Sequence, residues 1–132
     1  MLDRIDIQIE LPSLSYDEIN RRDGEAETSE QIRARVCEAR EFARKRLGAD
    51  AARIFCNAQL SAADIGKYCK MTDGAGALLR AAYDRMGMSV RGYDRIMRVA
   101  RTIADLDKSE IIDAKHIAEA IQYRSLDKKY WG

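Results

Sequence analysis

Arginine supplies most of the chemistry that this sequence can offer. Arg91, Arg95 and Arg98 stand at i, i+4 and i+7. Arg33, Arg40 and Arg44 stand at i, i+7 and i+11. On a helix, such spacings bring side chains to one face. A solvated, ion-paired face explains either stripe without any function, with Asp94 and Arg98 as an i,i+4 pair. Arg91 differs because Ser89, two residues earlier, reads as a helix cap. A cation in the first turn adds to the positive end of a helix, where acidic side chains are favoured. That placement suits an anionic partner. Phosphate is the natural one, since helix N-termini bind it and a guanidinium grips it in a fork. Arg4, between Asp3 and a run of alternating isoleucines, is a second candidate, or else a charge at a strand edge.

Other chemistries are poorly supported. The phosphate-loop pattern GxxxxGK[ST] does not occur in the sequence, and Gly74 and Gly76 do not follow a strand. Nucleotide phosphates would therefore need residues supplied from elsewhere. Cys37, Cys56 and Cys69 are odd in number and widely spaced, which fits neither a disulfide framework nor a zinc knuckle. Each reads as a small hydrophobe at a helix margin. His116, the single histidine, has no neighbours that complete a catalytic triad and reads as structural or exposed. No metal site is expected.

The composition sets the frame for these residues. The chain has 132 residues, 46% hydrophobic and 34% charged, with 23 Lys+Arg against 22 Asp+Glu. That suffices for one domain with a core and argues against disorder. A net charge of +1 argues against a simple polybasic nucleic-acid binder. No apolar run is long enough to cross a bilayer, and no signal peptide opens the chain, so a soluble, cytoplasmic protein without membrane partners is expected.

The elements that would position the arginines follow from periodicity and caps. Ile5, Ile7, Ile9 and Leu11 alternate with polar residues as in a strand, ended by Pro12. No second strand follows, so this one needs a sheet from outside the chain. Ser15 could cap a short helix over 16–20, and 21–27 reads as a loop. Thr28 with Gln31 forms a capping box for a helix ending at Gly48, with Ile32, Val36, Ala39, Ala43 and Leu47 as its apolar stripe. Residues 51–57 are ambiguous. Ser61 with Asp64 starts a second helix, stapled by Leu60 and Ile65 and ending near Cys69. Thr72 caps a third that stops at Gly87, with Leu78, Leu79, Ala82, Tyr83 and Met86 as its buried face. Ser89 caps a fourth, running to Leu106. Its wide arc of Tyr93, Ile96, Met97, Val99, Ala100, Ile103 and Ala104 marks the central helix. Asp113 caps a fifth, reaching about Arg124. The expected fold is mainly α: four or five helices behind one orphan strand.

Four segments carry a family resemblance: Leu2-Asp3-Arg4-Ile5-Asp6-Ile7, Asn57-Ala58-Gln59-Leu60-Ser61, the run from Tyr93 through Asp94-Arg95-Ile96-Met97-Arg98 to Leu106, and His116 through Ala120-Ile121-Gln122-Tyr123-Arg124. Together they resemble the C-terminal part of the magnesium-chelatase-like AAA+ ATPases of the ComM/YifB group. The resemblance implies that residues 1–12 are the last strand of an AAA+ core, 13–27 a linker, 28–126 the helical lid and 127–132 a tail. It implies that Arg4 is the arginine finger and Arg91 the sensor-2 arginine, acting on ATP and Mg²⁺ held by the full-length parent. It implies partners too: neighbouring subunits of a homo-oligomeric ring, expected to be hexameric, with this segment alone monomeric. ComM-like members are associated with DNA branch migration, and chelatase relatives with metal insertion into porphyrin. Two further readings remain: an independent DNA-binding module using Arg33, Arg40 and Arg44 or Arg91, Arg95 and Arg98, and a protein-interaction bundle.

Overall fold

A computed structural model describes residues 5–11, 13, 15–17 and 26–124. Among them are five α-helices: α1 (Ser29–Leu47), α2 (Ala62–Tyr68), α3 (Asp73–Met86), α4 (Val90–Leu106) and α5 (Ala114–Gln122). Short 3-10 turns over Gly48–Ala52 and Asn57–Gln59 fill the stretch that periodicity left ambiguous. Arg4, Pro12, the end of the helix expected over 16–20 and the tail from residue 125 lie outside the described residues. No described helix is long and apolar enough to cross a membrane.

The helix starts are set by local hydrogen bonds that the sequence announces. Thr28 accepts from the Gln31 N–H and its own N–H donates to Gln31 Oε1, closing a capping box. Ser61 and Asp64 do the same for α2, while Thr72 and Ser89 accept from Ala75 and Gly92. Gly87 ends α3 at φ 59, a left-handed turn that any side chain would strain. His116 is structural: it is buried, its Nδ1 accepts from the Asp113 N–H at 2.9 Å, and its Nε2 lies 3.0 Å from Asp107.

As its broad apolar arc predicts, α4 is central. It packs against α1, α2 and α5, and α5 in turn packs on α3. Ile96, Met97, Ala100 and Ala104 meet Leu47, Ile54, Leu60, Ile65, Leu79 and Ile117 in one core. A single parallel bridge between Met71 and Ile112 stitches the two segments that lead into α3 and α5. The caps of those helices also bond, Thr72 Oγ1 to Asp113 Oδ1 at 3.2 Å, so the two start side by side.

Three expectations need correction. The face that α3 buries is Ala75, Leu79 and Ala82, whereas Leu78 and Tyr83 stay exposed because α5 covers a narrower strip than the periodicity suggests. Ile32 is exposed because the first half of α1 extends beyond its neighbours. Cys69 is buried, but Cys37 and Cys56 are exposed. Residues 5–11 form no ladder among the described residues, as expected of a strand that needs a sheet from outside the chain. They have no regular secondary structure, and their apolar side is uncovered: Ile5, Ile7, Ile9 and Leu11 are between 45% and 83% exposed, while Gln8 is 8% exposed. The helices offer this segment polar partners, not another strand. Gln8 N–H donates to the Tyr123 carbonyl and Arg124 to the Ile5 carbonyl, both at 2.7 Å, while Asp6 pairs with Arg95.

The core also holds a polar centre. Arg101 is fully buried. Its guanidinium donates to the carbonyls of Tyr68 (3.2 Å), Glu110 (2.8 Å) and Ser109, and its Nε lies 3.2 Å from Asp105. Asp105 also accepts from Arg46 and from Asn57 Nδ2 at 2.9 Å. Charges out of water persist only when paired and hydrogen-bonded. Removing one partner strands the others, at a cost of about 3–5 kcal/mol. Asp105→Ala is therefore expected to lower unfolding stability by about that amount in urea titration, well beyond a typical surface change.

Stability should also fall in acid. Arg53 and the Ser61 N–H hold Asp64 well below the usual carboxylate range. His116 and then Lys115 lower the Asp107 carboxyl, and the Ala114 N–H and the Thr72 hydroxyl lower that of Asp113. A carboxylate depressed on folding adds stability above its unfolded value of 3.8, and loses it as pH falls through the folded value. The melting temperature should hold from about pH 7 to 5 and fall below about pH 4. Asp64→Asn should melt lower at neutral pH, with its deficit shrinking in acid; a deficit independent of pH would contradict the assignment.

Candidate phosphate-facing site at the start of α4

The site begins with the turn between α3 and α4. Gly87 reverses the chain, and Ser89 then caps α4, its Oγ accepting from the Gly92 N–H at 3.1 Å. Arg91 lies in the first turn and is exposed. No acidic residue stands in that turn, so the helix end is not neutralised by its own side chains. Backbone N–H groups and a guanidinium thus share one end of α4, which is the chemistry of an anion site.

The two arginines that follow are used internally. Arg95, one turn on, pairs with Asp6 and so fastens the N-terminal extended segment to α4. Arg98 donates from Nε to the Leu60 carbonyl at 2.9 Å, tying α4 to the cap region of α2. No Asp94–Arg98 ion pair occurs. Arg91, Arg95 and Arg98 therefore share a helix side but not one open basic face. Arg33, Arg40 and Arg44 are all exposed along α1, remote in sequence and element from the start of α4. Arg4 lies outside the described residues. The segment that follows it is held against α4 and the end of α5 by the contacts of Ile5, Asp6 and Gln8.

Sequence reasoning missed Arg46, Arg101 and Asp105 as a connected group. One signal was present: Asn57 belongs to a segment that carries the family resemblance, and here its side chain bonds Asp105 and Thr102. Cys69 borders this group. Burial pushes its thiol up to about 11, so it is not a nucleophile at neutral pH. Among the described residues no cluster of three or more His, Cys, Asp or Glu side chains could hold a metal ion.

Comparison with known proteins places this geometry. The chain is 38% identical over 125 residues to the competence protein ComM of Haemophilus influenzae, covering 95% of this chain and 23% of that protein. It is 34% identical over 127 residues to the uncharacterized protein YifB of Escherichia coli, covering 96% of this chain and 24% of the relative. A Mycobacterium tuberculosis protein, also uncharacterized, is 33% identical over 124 residues. The chain thus spans about a quarter of the length of ComM and YifB. The family described as magnesium chelatase, subunit ChlI C-terminal, matches residues 26–124, which take in all five helices, the Asp105 centre and the cap before Arg91. The chain belongs to the magnesium chelatase subunit ChlI C-terminal family.

Proposed function

We propose that this chain is the lid and subunit-interface segment of a ComM-like AAA+ ATPase, in which Arg91 serves as the sensor-2 arginine and Arg4 as the arginine finger. The observation that carries the reading is the position of Arg91: an exposed guanidinium in the first turn of α4, with no acidic neighbour in that turn. The residues present fit the phosphate end of a nucleotide and nothing more of it. Arg91 and the N-terminal N–H groups of α4 would hold phosphate oxygens. ATP, with Mg²⁺, supplies the scissile phosphoanhydride when bound. The residues that hold the metal and the phosphate loop would come from the rest of the parent.

The extended segment over 5–11 supports the same reading. Its apolar side faces away from the helices, as suits the last strand of a core whose sheet lies elsewhere in the parent. A homo-oligomeric, hexameric ring would bring Arg4 to a neighbour's nucleotide. Work on DNA, as branch migration, is the activity proposed for the parent, favoured over metal insertion by the similarity to ComM. The cytoplasm is the proposed compartment.

The test is ATP turnover in a protein that carries this segment behind its own phosphate-loop domain. Arg4→Ala should lower kcat by about 10³–10⁵, the worth of an arginine finger. Arg91→Ala should lower turnover by about 10- to 100-fold, as expected for a lost charge-assisted hydrogen bond. Arg91→Ala should keep a cooperative thermal transition, so that lost turnover is not lost folding. Turnover that survives both substitutions would leave only the interaction readings.

A further inference from the structure

A cleft on a different part of the surface carries a charge pattern that the ATPase reading does not use. It measures about 480 Å³ and is lined by Phe42, Lys45 and Arg46 of α1, Lys67 and Tyr68 of α2, and then Lys70 and Glu110. Four cationic side chains thus face one carboxylate, in a chain whose overall charge is nearly balanced. Lys67 is partly neutralised by Asp50 at 3.3 Å. Lys45 and Lys70 are exposed and make no ion pair among the described residues. Arg46 is held by Asp105, which also pairs with Arg101 behind the cleft wall, so the wall adds no net charge to that of the cleft.

We infer that this cleft binds the phosphodiester backbone of a single-stranded nucleic acid. The cations come from separate elements and are spread along a groove, which suits a chain of phosphates better than a single anion. Lysines act on phosphate as point charges and tolerate variation in backbone geometry. Phe42, half-buried, interrupts the cations with apolar surface against which sugar or base can rest, while Tyr68 is buried beneath the Lys67 ammonium; basic grooves with aromatic side chains are the usual design for sequence-tolerant single-strand binding. A strip of carboxylates from a protein partner would satisfy the lysines but would leave the aromatic surface without a function. The cleft is separate from Arg33, Arg40, Arg91 and Arg95, and the inference does not depend on the ATPase reading.

Binding of a fluorescein-labelled oligothymidine to the 132-residue chain, followed by anisotropy from about 20 to 200 mM salt, tests the inference. Each phosphate neutralised on a single strand contributes a slope of about −0.7 in log K against log salt. Lys45→Ala/Lys70→Ala should shrink that slope by about 1.4 and weaken low-salt binding tenfold or more. Lys45→Glu/Lys70→Glu should abolish binding with the helical circular dichroism intact. Arg33→Ala/Arg40→Ala, outside the cleft, should change neither quantity. The inference is overturned by absence of binding at the lowest salt, or by binding that follows Arg33 and Arg40 instead of the lysines. It is also overturned if polyglutamate competes as well as unlabelled oligothymidine, which would make the partner an acidic protein. If the lysine variants lose binding only in proportion to lost helix stability, the lysines serve the carbonyl ends of α1 and α2, and the inference again fails.

Discussion

The fold turns on the carboxylate of Asp105. It sits near the end of the central helix, where it takes two guanidinium groups and an amide at once. Each partner belongs to a different part of the molecule: Arg46 to α1, Arg101, as an ion pair, to α4 itself, Asn57 to the turn before α2. Through Arg101 the same centre reaches the carbonyls that end α2 and those of the loop leading to α5. Hydrophobic contacts would allow α1 and α2 to slide over α4 at modest cost, since burial is not directional. Hydrogen bonds to a fixed carboxylate are directional and admit one register. The apolar core supplies most of the stability, and Asp105 selects the arrangement in which that core forms.

The helix boundaries were legible because their signals are local. Thr28, Ser61, Thr72, Ser89 and Asp113 cap within three residues of themselves, so no tertiary knowledge is needed to place them. The central role of α4 was legible for a related reason, since only an inner helix carries so wide an apolar arc. The polar centre was not legible. Arg101 and Asp105 stand at i and i+4, which on most helices means an exposed ion pair, and Arg46 is separated from Asp105 by 59 positions. The polar ties of residues 5–11 were not legible either. Alternation fixes that two sides differ, but which side turns inward depends on what the neighbouring surface offers. Here it offers the Tyr123 carbonyl, Arg95 and Arg124.

The candidate site divides along the same line. Arg91 could be singled out because its peculiarity, a cation at the start of a helix, is contained in a few residues. Arg95 and Arg98 have the same spacing pattern and different fates, since one anchors Asp6 and the other the Leu60 carbonyl. Helical periodicity identifies a shared face but not the partners waiting beside it. The family match is informative at a coarser level, as it covers the helices and the Asp105 centre together. The lysine cleft draws on two helices and two loops, so no window of sequence contains it.

The fastening of residues 5–11 has a mechanical meaning. Its three ties, at Ile5, Asp6 and Gln8, run to the end of α5 and to the first half of α4. A pull on the segment is borne by these ties before it reaches the helices. Force arriving from the N-terminal side would pass into α4 at Arg95, a single helical turn from Arg91. Tension on the backbone at residue 5 would thus be felt at the start of the central helix.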